Sequence, residues 1–315
     1  TSDRASGAQV IDGSLKFDRS KNQYFKRTPS SSGNQKTWTW SCWVKHHISP
    51  SESGNRQSFL ISTNSGAAAY VQIYFSTEQL VINTKHDGGS FTSTKPTRLF
   101  RDTSEFYHIV YAVDTTQATG TDRLKIYING ELLSSFTPDG RANITQNTDI
   151  SFNSTTEHNI GRQQALTAYS DYNMTQVYFI DGQQLDASYF GFTDPLTNTW
   201  RPKKYEGTFG TNGFYLPMDG NSSIGEDKSG QGNNWTPVNF GGLELGNPNV
   251  SGARPILNTL PGGTTATPGV FGSRENKTFA VTVASVGGGN KYHFDGVDRP
   301  NPTLTRGATY TFDQS

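Results

Sequence analysis

The sequence lacks several features that define common protein classes. A single cysteine, Cys42, among 315 residues excludes an internal disulfide framework, so the fold must depend on packing. No apolar run approaches the ~20 residues of a membrane-spanning helix, and no signal peptide is visible, so we predict no membrane insertion. Lys plus Arg and Asp plus Glu each total 27, which gives zero formal charge. Without a long basic run, this balance argues against nucleic acid as a partner.

Apolar residues are also scarce, at 32%, whereas aromatic residues make up 12% of the chain. A disordered chain would be depleted in aromatic residues and would carry net charge. Few apolar residues with many aromatics are instead typical of a thin β-sandwich, in which each strand buries one face.

Alternating apolar and polar residues predict an all-β chain, because helical periodicity is almost absent. The clearest hairpin is LKIYINGELLSSF (residues 124–136), in which Asn129 and Gly130 supply the two positive-φ positions of a type I′ turn. A second turn is predicted at Asp181-Gly182. So many short strands require closure or a second sheet. The other predicted strands are 15–17, 38–45, 58–62, 69–75, 79–83, 107–114, 150–152, 159–161, 177–180, 278–283, 291–294 and 309–312.

Composition divides the chain into four regions. Residues 1–200 carry most of the predicted strands and form the main sandwich. Residues 201–250 have only short apolar runs and are expected to wrap around it. Residues 251–275 are rich in Pro, Gly and Thr and are typical of a linker. Residues 276–315 predict an incomplete C-terminal β module, which either continues in a longer polypeptide or pairs with other chains.

Several segments resemble laminin-G-like, concanavalin A-type lectin domains. They are SLKFDRSKNQYFKRTPSSSGNQKTWTWSCWVK (14–45), FRDTSEFYHIVYAVDTTQ (100–117), KIYINGELLSSF (125–136), HNIGR (158–162) and VYFIDGQQL (177–185). Their order and spacing resemble this family over residues 12–200. The resemblance implies a two-sheet antiparallel jelly roll.

Other segments resemble virion proteins of marine bacteriophages, especially tail-fibre or appendage proteins of cyanophage-type podophages. These include NGFYLPMDGNSSIGEDKSGQGNNWTP (212–237) and GNKYHFDGVDRPNPTLTRGATYTFDQS (289–315). The resemblance implies a virion location, contacts with other virion proteins, and a homotrimer or other homo-oligomer. Two functions remain open: attachment to host cell-surface glycan, and a purely structural role as an adaptor, capsid decoration or fibre base.

The segment TWTWSCWVK (37–45) places three tryptophans on one predicted strand. Alternation puts Trp38 and Trp40 on the same face as Cys42 and Val44, so we predict that this row fills the core. Trp43 points the other way. It is either covered by the later chain, with Trp200 and Tyr205, or exposed as a platform for a sugar.

The sequence does not predict an enzyme. Glycoside hydrolases need two carboxylates about 5–5.5 Å or more apart, and no predicted strand carries acidic residues two to four positions apart on one face. No G-x-S-x-G motif or Cys/His metal cluster is present. His108 is expected to be packed or bonded to the backbone, and the consecutive His46 and His47 must point to opposite faces.

Glycan-binding candidates lie in two predicted rim loops, because jelly rolls of the resembling family often bind sugars with loops at one end. LTAYSDYNM (166–174) offers aromatic rings to stack on a pyranose and polar groups to bond its hydroxyls. KHDGG (85–89) offers polar groups. The alternative is that the tyrosines pack against the sheet edge or a neighbouring subunit. The candidates are Tyr169, Asp171, Tyr172, Asn173, His86 and Asp87.

Calcium is the one cofactor for which the sequence offers a candidate site. The segment GEDKSGQGNNW (225–235) offers oxygen ligands from Asp227 and Asn233, and the resembling family includes calcium-dependent members. The alternative is a tight turn whose glycines adopt positive φ and whose Asp and Asn side chains bond locally. No other metal site is predicted.

Overall fold

The computed structural model describes residues 8–47, 57–63, 70–86, 91–163, 168–220, 223–240, 277–286, 289–294, 297–298 and 310–313. The predicted linker, residues 251–275, lies outside these ranges. The strands are β1 (Leu15–Phe17), β2 (Tyr24–Arg27), β3 (Thr37–His46), β4 (Gln57–Thr63), β5 (Tyr70–Ser76), β6 (Gln79–Lys85), β7 (Thr92–Thr94), β8 (Tyr107–Asp114), β9 (Leu124–Ile128), β10 (Glu131–Leu132), β11 (His158–Ile160), β12 (Arg162–Gln163), β13 (Ala168–Tyr169), β14 (Tyr172–Asp181), β15 (Gly191–Asp194), β16 (Thr199–Pro202), β17 (Phe214–Leu216), β18 (Thr236–Val238), β19 (Lys277–Val286), β20 (Gly289–Phe294), β21 (Val297–Asp298) and β22 (Tyr310–Asp313). Single-turn 3₁₀ helices occur at Arg19–Lys21, Gly120–Arg123, Arg141–Asn143 and Ala187–Tyr189.

Two seven-stranded antiparallel sheets form the sandwich, as the resemblance to laminin-G-like domains implied. The first sheet has the order β1-β14-β3-β8-β9-β10, with β17 also paired to β14. The second has the order β18-β2-β11-β4-β5-β6-β7. Within the described residues, no helix is long and apolar enough to cross a membrane.

The tryptophan row fills the core, which confirms the prediction for β3. Trp38, Trp40, Cys42 and Val44 are at most 1% exposed. Trp38 packs between Tyr111 and Phe152, at ring-centroid distances of 5.3 and 4.7 Å. Each buried aromatic ring removes roughly 150–250 Å² from water, so this row contributes a large share of the core.

The chain after residue 200 contributes strands to both sheets. β17 pairs with β14 through Val177–Leu216 and Phe179–Phe214, and β18 pairs with β2. At the other side of the sandwich, residues 95–97 bond to residues 135–138, including Thr97 N–H to Ser135 O at 3.1 Å. The two sheets are thus joined there by backbone bonds.

The Asn129-Gly130 turn is confirmed, since both residues have positive φ, 49° and 86°. The predicted strand at residues 150–152 is wrong. Ile150 and Phe152 are buried, but they enter the core from a turn that has no strand partner. Apolar alternation in this segment therefore reports burial without β-pairing.

The last described residues form a separate four-stranded sheet in the order β21-β20-β19-β22. β19 pairs antiparallel with β20 and parallel with β22. Val283, Tyr292 and Phe312 are exposed in this sheet, by 57%, 63% and 41%.

Candidate functional site

The segment from β13 to β14 carries four of the glycan candidates across one end of the sandwich. β13 lies over the second sheet, where Ala168 packs on the cluster of Phe59 and Tyr74, whereas β14 belongs to the first sheet. The candidates therefore separate into different surroundings.

Tyr172 is not available to a ligand, which corrects its assignment as a stacking platform. Its side chain is 0% exposed, with its ring 4.6 Å from that of Phe17. Its hydroxyl donates to the carbonyl of Phe59 at 3.0 Å, and burial raises its pKa well above the usual range. The reason is register: β14 begins at Tyr172, so Tyr172 and Met174 point into the core.

Tyr169 lies on the outer side of the second sheet in a cluster with Arg162 and Tyr24. The Arg162 guanidinium lies 4.6 Å from the Tyr24 ring centroid and 5.7 Å from that of Tyr169. β12 and β13 hold Arg162 directly opposite Tyr169. Within the described residues, Arg162 Nε has no hydrogen-bond partner. The cluster combines aromatic faces with a cationic donor, as sugar-binding surfaces do.

Asp171 and Asn173 lie together at the sandwich end. Asp171 Oδ1 accepts from the backbone N–H of Arg19 at 2.9 Å, and its backbone carbonyl accepts from His47 at 3.3 Å. Asn173 Oδ1 is 2.6 Å from His47 Nε2, and its Nδ2 donates to Ser14 Oγ at 2.9 Å. His47 is exposed, and Ser14, Asp171 and Asn173 are partly exposed, so the group presents polar atoms to solvent.

His86 lies at the opposite end of the sandwich. His86 follows Lys85, which pairs with the first residue of β5. Asp171 lies near the other end of β5, because its N–H donates to Ser58 Oγ at 3.3 Å and Ser58 pairs with Phe75. Asp87 lies outside the described residues. His86 therefore cannot share one small ligand with Asp171.

Asp227 and Asn233, the calcium candidates, are taken up by hydrogen bonds within the chain. Asp227 Oδ1 accepts from the N–H groups of Tyr215 and Ser229, both at 2.8 Å. Its Oδ2 accepts from Ser229 Oγ and Asn233 N–H, also at 2.8 Å. Asn233 Oδ1 accepts from Arg27. These bonds favour the alternative to calcium, a turn whose Asp and Asn side chains bond within the chain, because four donors already occupy the carboxylate that a cation would need.

A buried polar network that sequence reasoning missed surrounds Asp181. Its Oδ1 accepts from Asn34 N–H (2.8 Å) and Asn153 Nδ2 (2.7 Å), and its Oδ2 accepts from Asn212 N–H (3.1 Å). Asn212 Nδ2 also donates to Asn153 Oδ1 at 2.8 Å. Asp181 thereby joins three loops to β14, and its partners were invisible in sequence because they lie 28 or more positions away.

His158 belongs to the same network. Its Nε2 accepts from Asn153 N–H at 2.9 Å, so the proton of the neutral ring sits on Nδ1, which donates to the carbonyl of Thr156 at 2.8 Å. Burial, with a smaller contribution from the charge of Arg27, lowers the pKa of His158 to about 4. Burial also lowers the pKa of Arg27, against the opposing charges of Asp227 and Asp181.

Trp43, on the outer face of β3, stacks on His108 at 4.9 Å, and His108 stacks on Trp200 at 5.9 Å. The predicted cover is thus partly correct. Trp200 reaches Trp43 through His108, whereas Tyr205 packs with Phe190 in the same cluster as Trp200. Trp43 stays half-buried.

His108 and Ser41 form a buried pair that does not resemble a nucleophile and its base. Trp200 Nε1 donates to His108 Nδ1 at 3.0 Å, so the neutral ring carries its proton on Nε2 and donates to Ser41 Oγ at 2.9 Å. Burial lowers the pKa of His108 to about 3. The imidazole therefore cannot accept the Ser41 proton, and we assign the pair a packing role.

Residues 19–174 match the sequence profile of the Laminin_G_3 family, described as Concanavalin A-like lectin/glucanases superfamily. No curated protein sequence matches the chain. Among solved structures, the chain is similar to a native heptameric SAP-like pentraxin from Limulus polyphemus, with 13% identity, a TM-score of 0.37 and coverage of 56% of this chain and 80% of that one.

Two further solved structures are similar to the chain. Domains LG4-5 of mouse laminin alpha1 chain show 12% identity, a TM-score of 0.38 and coverage of 71% of this chain and 51% of that one. Full-length tailspike protein 2 of Escherichia coli O157:H7 bacteriophage CAB120 shows 14% identity, a TM-score of 0.34 and coverage of 58% and 27%. The chain thus spans about half of the laminin fragment and about a quarter of the tailspike. Residues 19–174 thus match the concanavalin A-like lectin/glucanases superfamily, and the two-sheet antiparallel sandwich is consistent with a jelly-roll, lectin-like fold.

Proposed function

We propose that this chain is a bacteriophage virion protein, part of a tail fibre or appendage, that attaches to host cell-surface polysaccharide. The lectin domain supports binding of carbohydrate, and the segments that resemble marine phage proteins support a virion location. The observation that carries the proposal is the cluster of Tyr24, Arg162 and Tyr169 on the outer side of the second sheet.

The chemistry of this cluster suits a saccharide. The half-buried Tyr169 ring offers an apolar face to the C–H groups of a pyranose, while Arg162 offers N–H donors to its hydroxyl or carboxylate oxygens. Asp171, further along the same segment, adds a carboxylate acceptor at the sandwich end.

The test is binding of the purified protein to an array of bacterial surface polysaccharides and to host cells. We expect Tyr169→Ala and Arg162→Ala each to raise Kd about tenfold, which corresponds to ~1.4 kcal/mol. Tyr189→Ala is the matched control, because Tyr189 is an exposed tyrosine that contacts Tyr205 instead of this cluster. Incubation of protein with the bound polysaccharide should release no new reducing ends.

Two results would contradict the proposal. One is a wild-type protein that binds no polysaccharide and no host cell. The other is equal affinity of wild type, Tyr169→Ala and Arg162→Ala when all three have the same thermal unfolding midpoint, which would remove this cluster as the site.

A second candidate function is structural, as an adaptor, capsid decoration or fibre base that assembles with itself and other virion proteins. The C-terminal sheet favours it, because Val283 and Tyr292 are directly paired across β19 and β20 and both are largely exposed. Sedimentation of the full chain tests this role: a trimer or other oligomer that Tyr292→Glu dissociates supports it, and a monomer at all concentrations opposes it.

A further inference from the structure

A pocket of about 300 Å³ lies beside Trp43 on the outer face of the first sheet. That volume is at the lower end of the range for small-molecule sites. The pocket is formed where the N-terminal segment and the end of β16 pass over the sheet. Its main lining residues are Ile11, Ser14, Trp43, Phe106, Thr175 and Pro202.

The walls of the pocket are mainly apolar and aromatic. Trp43 is half-buried because His108 covers part of its ring, and Trp43 also lines the pocket. Phe106 forms a second aromatic wall, and the Lys45 ammonium lies 5.5 Å from its ring centroid. These two rings offer C–H-binding surface of the kind that sugar rings contact.

A row of polar side chains borders this apolar floor. Asn173 on β14 pairs with Lys16 on β1 and with Lys45 on β3, so the three side chains share the outer face of the sheet. Asn173 Nδ2 donates to Ser14 Oγ at 2.9 Å, which leaves the Ser14 proton free to donate to a ligand.

The charges around the pocket do not favour one sign. Lys16 and Lys45 are matched by Asp12 and Glu105, both exposed and each next to a stretch of chain that lines the pocket. A strongly anionic ligand therefore has no advantage over a neutral one.

We infer that this pocket binds one pyranose unit of a polysaccharide, with the ring stacked on Trp43 and its hydroxyls bonded to Ser14, Asn173 and Lys45. The inference rests on the proposed glycan-binding function and adds a contact separate from the Tyr169 cluster, on the other sheet. A purely apolar ligand would leave the polar row unused, whereas a pyranose has one C–H face and a rim of hydroxyls that match both parts.

The experiment uses the full chain and the polysaccharide that binds wild type most strongly on the array, cut to oligosaccharides by mild acid. Isothermal titration measures Kd for Ser14→Phe, whose ring fills the pocket without altering the contact between Trp43 and His108, and for Trp43→Leu, which removes the platform. Lys125→Ala is the control, because Lys125 also lies on the first sheet but pairs with Ala112 away from the pocket. We expect a rise in Kd of about tenfold for both pocket variants and none for the control.

Each outcome decides the inference. The pocket proposal fails if Ser14→Phe has the thermal unfolding midpoint and the Kd of wild type. If the Kd of Tyr169→Ala is raised in the same experiment, the proposed function still stands. If Trp43→Leu does not fold, Ser14→Phe alone decides. If Ser14→Phe changes the sedimenting mass and leaves Kd unchanged, a protein side chain occupies the pocket and the inference is overturned. If wild type binds no polysaccharide, both proposals fall.

Discussion

Three histidines of the described residues, His46, His108 and His158, are buried, and burial lowers the pKa of each, so this protein should be sensitive to mild acid. His108 and His158 are fully enclosed, and burial lowers their pKa values to about 3 and about 4. In the unfolded chain each has the ordinary value of about 6.5. Between these values the unfolded chain binds more protons than the folded one, so the free energy of unfolding must fall as pH falls from about 6.5.

The magnitude follows from the difference in proton binding. At pH 5 each unfolded imidazole is protonated while each folded one is neutral, and 1.5 pH units below 6.5 correspond to about 2 kcal/mol per histidine. His108 and His158 together should remove about 4 kcal/mol between pH 7 and pH 5, a large part of the stability of a typical domain. The acidic groups with lowered pKa values, Asp102, Asp114 and Asp139, titrate below this window because their ordinary pKa is already 3.8.

Urea unfolding monitored by tryptophan fluorescence at pH 7, 6 and 5 measures the effect, with exposed His47→Gln as the control. His158→Gln should be less stable at pH 7, because two hydrogen bonds change, but its stability should fall by about 2 kcal/mol less on acidification. An unfolding free energy that is equal at pH 7 and pH 5 would refute the assignment of neutral, enclosed imidazoles.

Two further predictions concern folding of the sandwich. Gly130→Ala should lower the free energy of unfolding by more than Gly182→Ala. Both positions have positive φ, which costs an alanine about 1–2 kcal/mol, but only at Gly130 would the new Cβ meet Trp200, at 2.4 Å. Equal losses of free energy in urea unfolding would contradict this contact. Asp181→Ala should cost about 3 kcal/mol or more, because two buried donors and one partly buried donor lose their acceptor. Asp181→Asn should cost less, since it keeps one acceptor oxygen. Circular dichroism melts compare the two variants, and an Asp181→Ala variant as stable as wild type would argue against the network.

The parts of the fold that sequence predicts are those governed by local alternation. Trp38 and Trp40 follow period two along an uninterrupted strand, and the turn at Asn129-Gly130 needs only two residues that accept positive φ. In both cases the physical cause lies within a few neighbouring residues, so it is visible in the chain.

The candidate site was harder to predict because a bulge changes parity within β14. Tyr172 and Met174 point inward, the register shifts between Thr175 and Tyr178, and Val177 then points inward. If the alternation is counted backwards from Val177 without the bulge, the Tyr172 side chain is predicted to point to solvent, where it could contact a ligand. Only the pairing of Tyr172 with His46 on β3 shows otherwise, and such pairing is a long-range property.

The role of polar residues was also set by distant partners. Asp227 looked like a cation ligand because its neighbours are Ser, Asn and Gly, yet its fourth donor comes from the backbone of Tyr215 on another strand. The cluster of Tyr24, Arg162 and Tyr169 could not be predicted because its members are separated by up to 145 positions. They meet only when β12 and β13 pack over the side of the second sheet to which Tyr24 of β2 points.

The way in which β17 and β18 complete the two sheets has a practical consequence. The profile match ends at residue 174, in the third position of β14, and a recombinant fragment cut there would sever the strand that connects β1, β3 and β17. Cutting at residue 200 would still remove Trp235 and Phe240 from the interior they help to fill. The smallest piece that keeps its own interior intact therefore runs at least to residue 240, well past where sequence similarity alone would place the border.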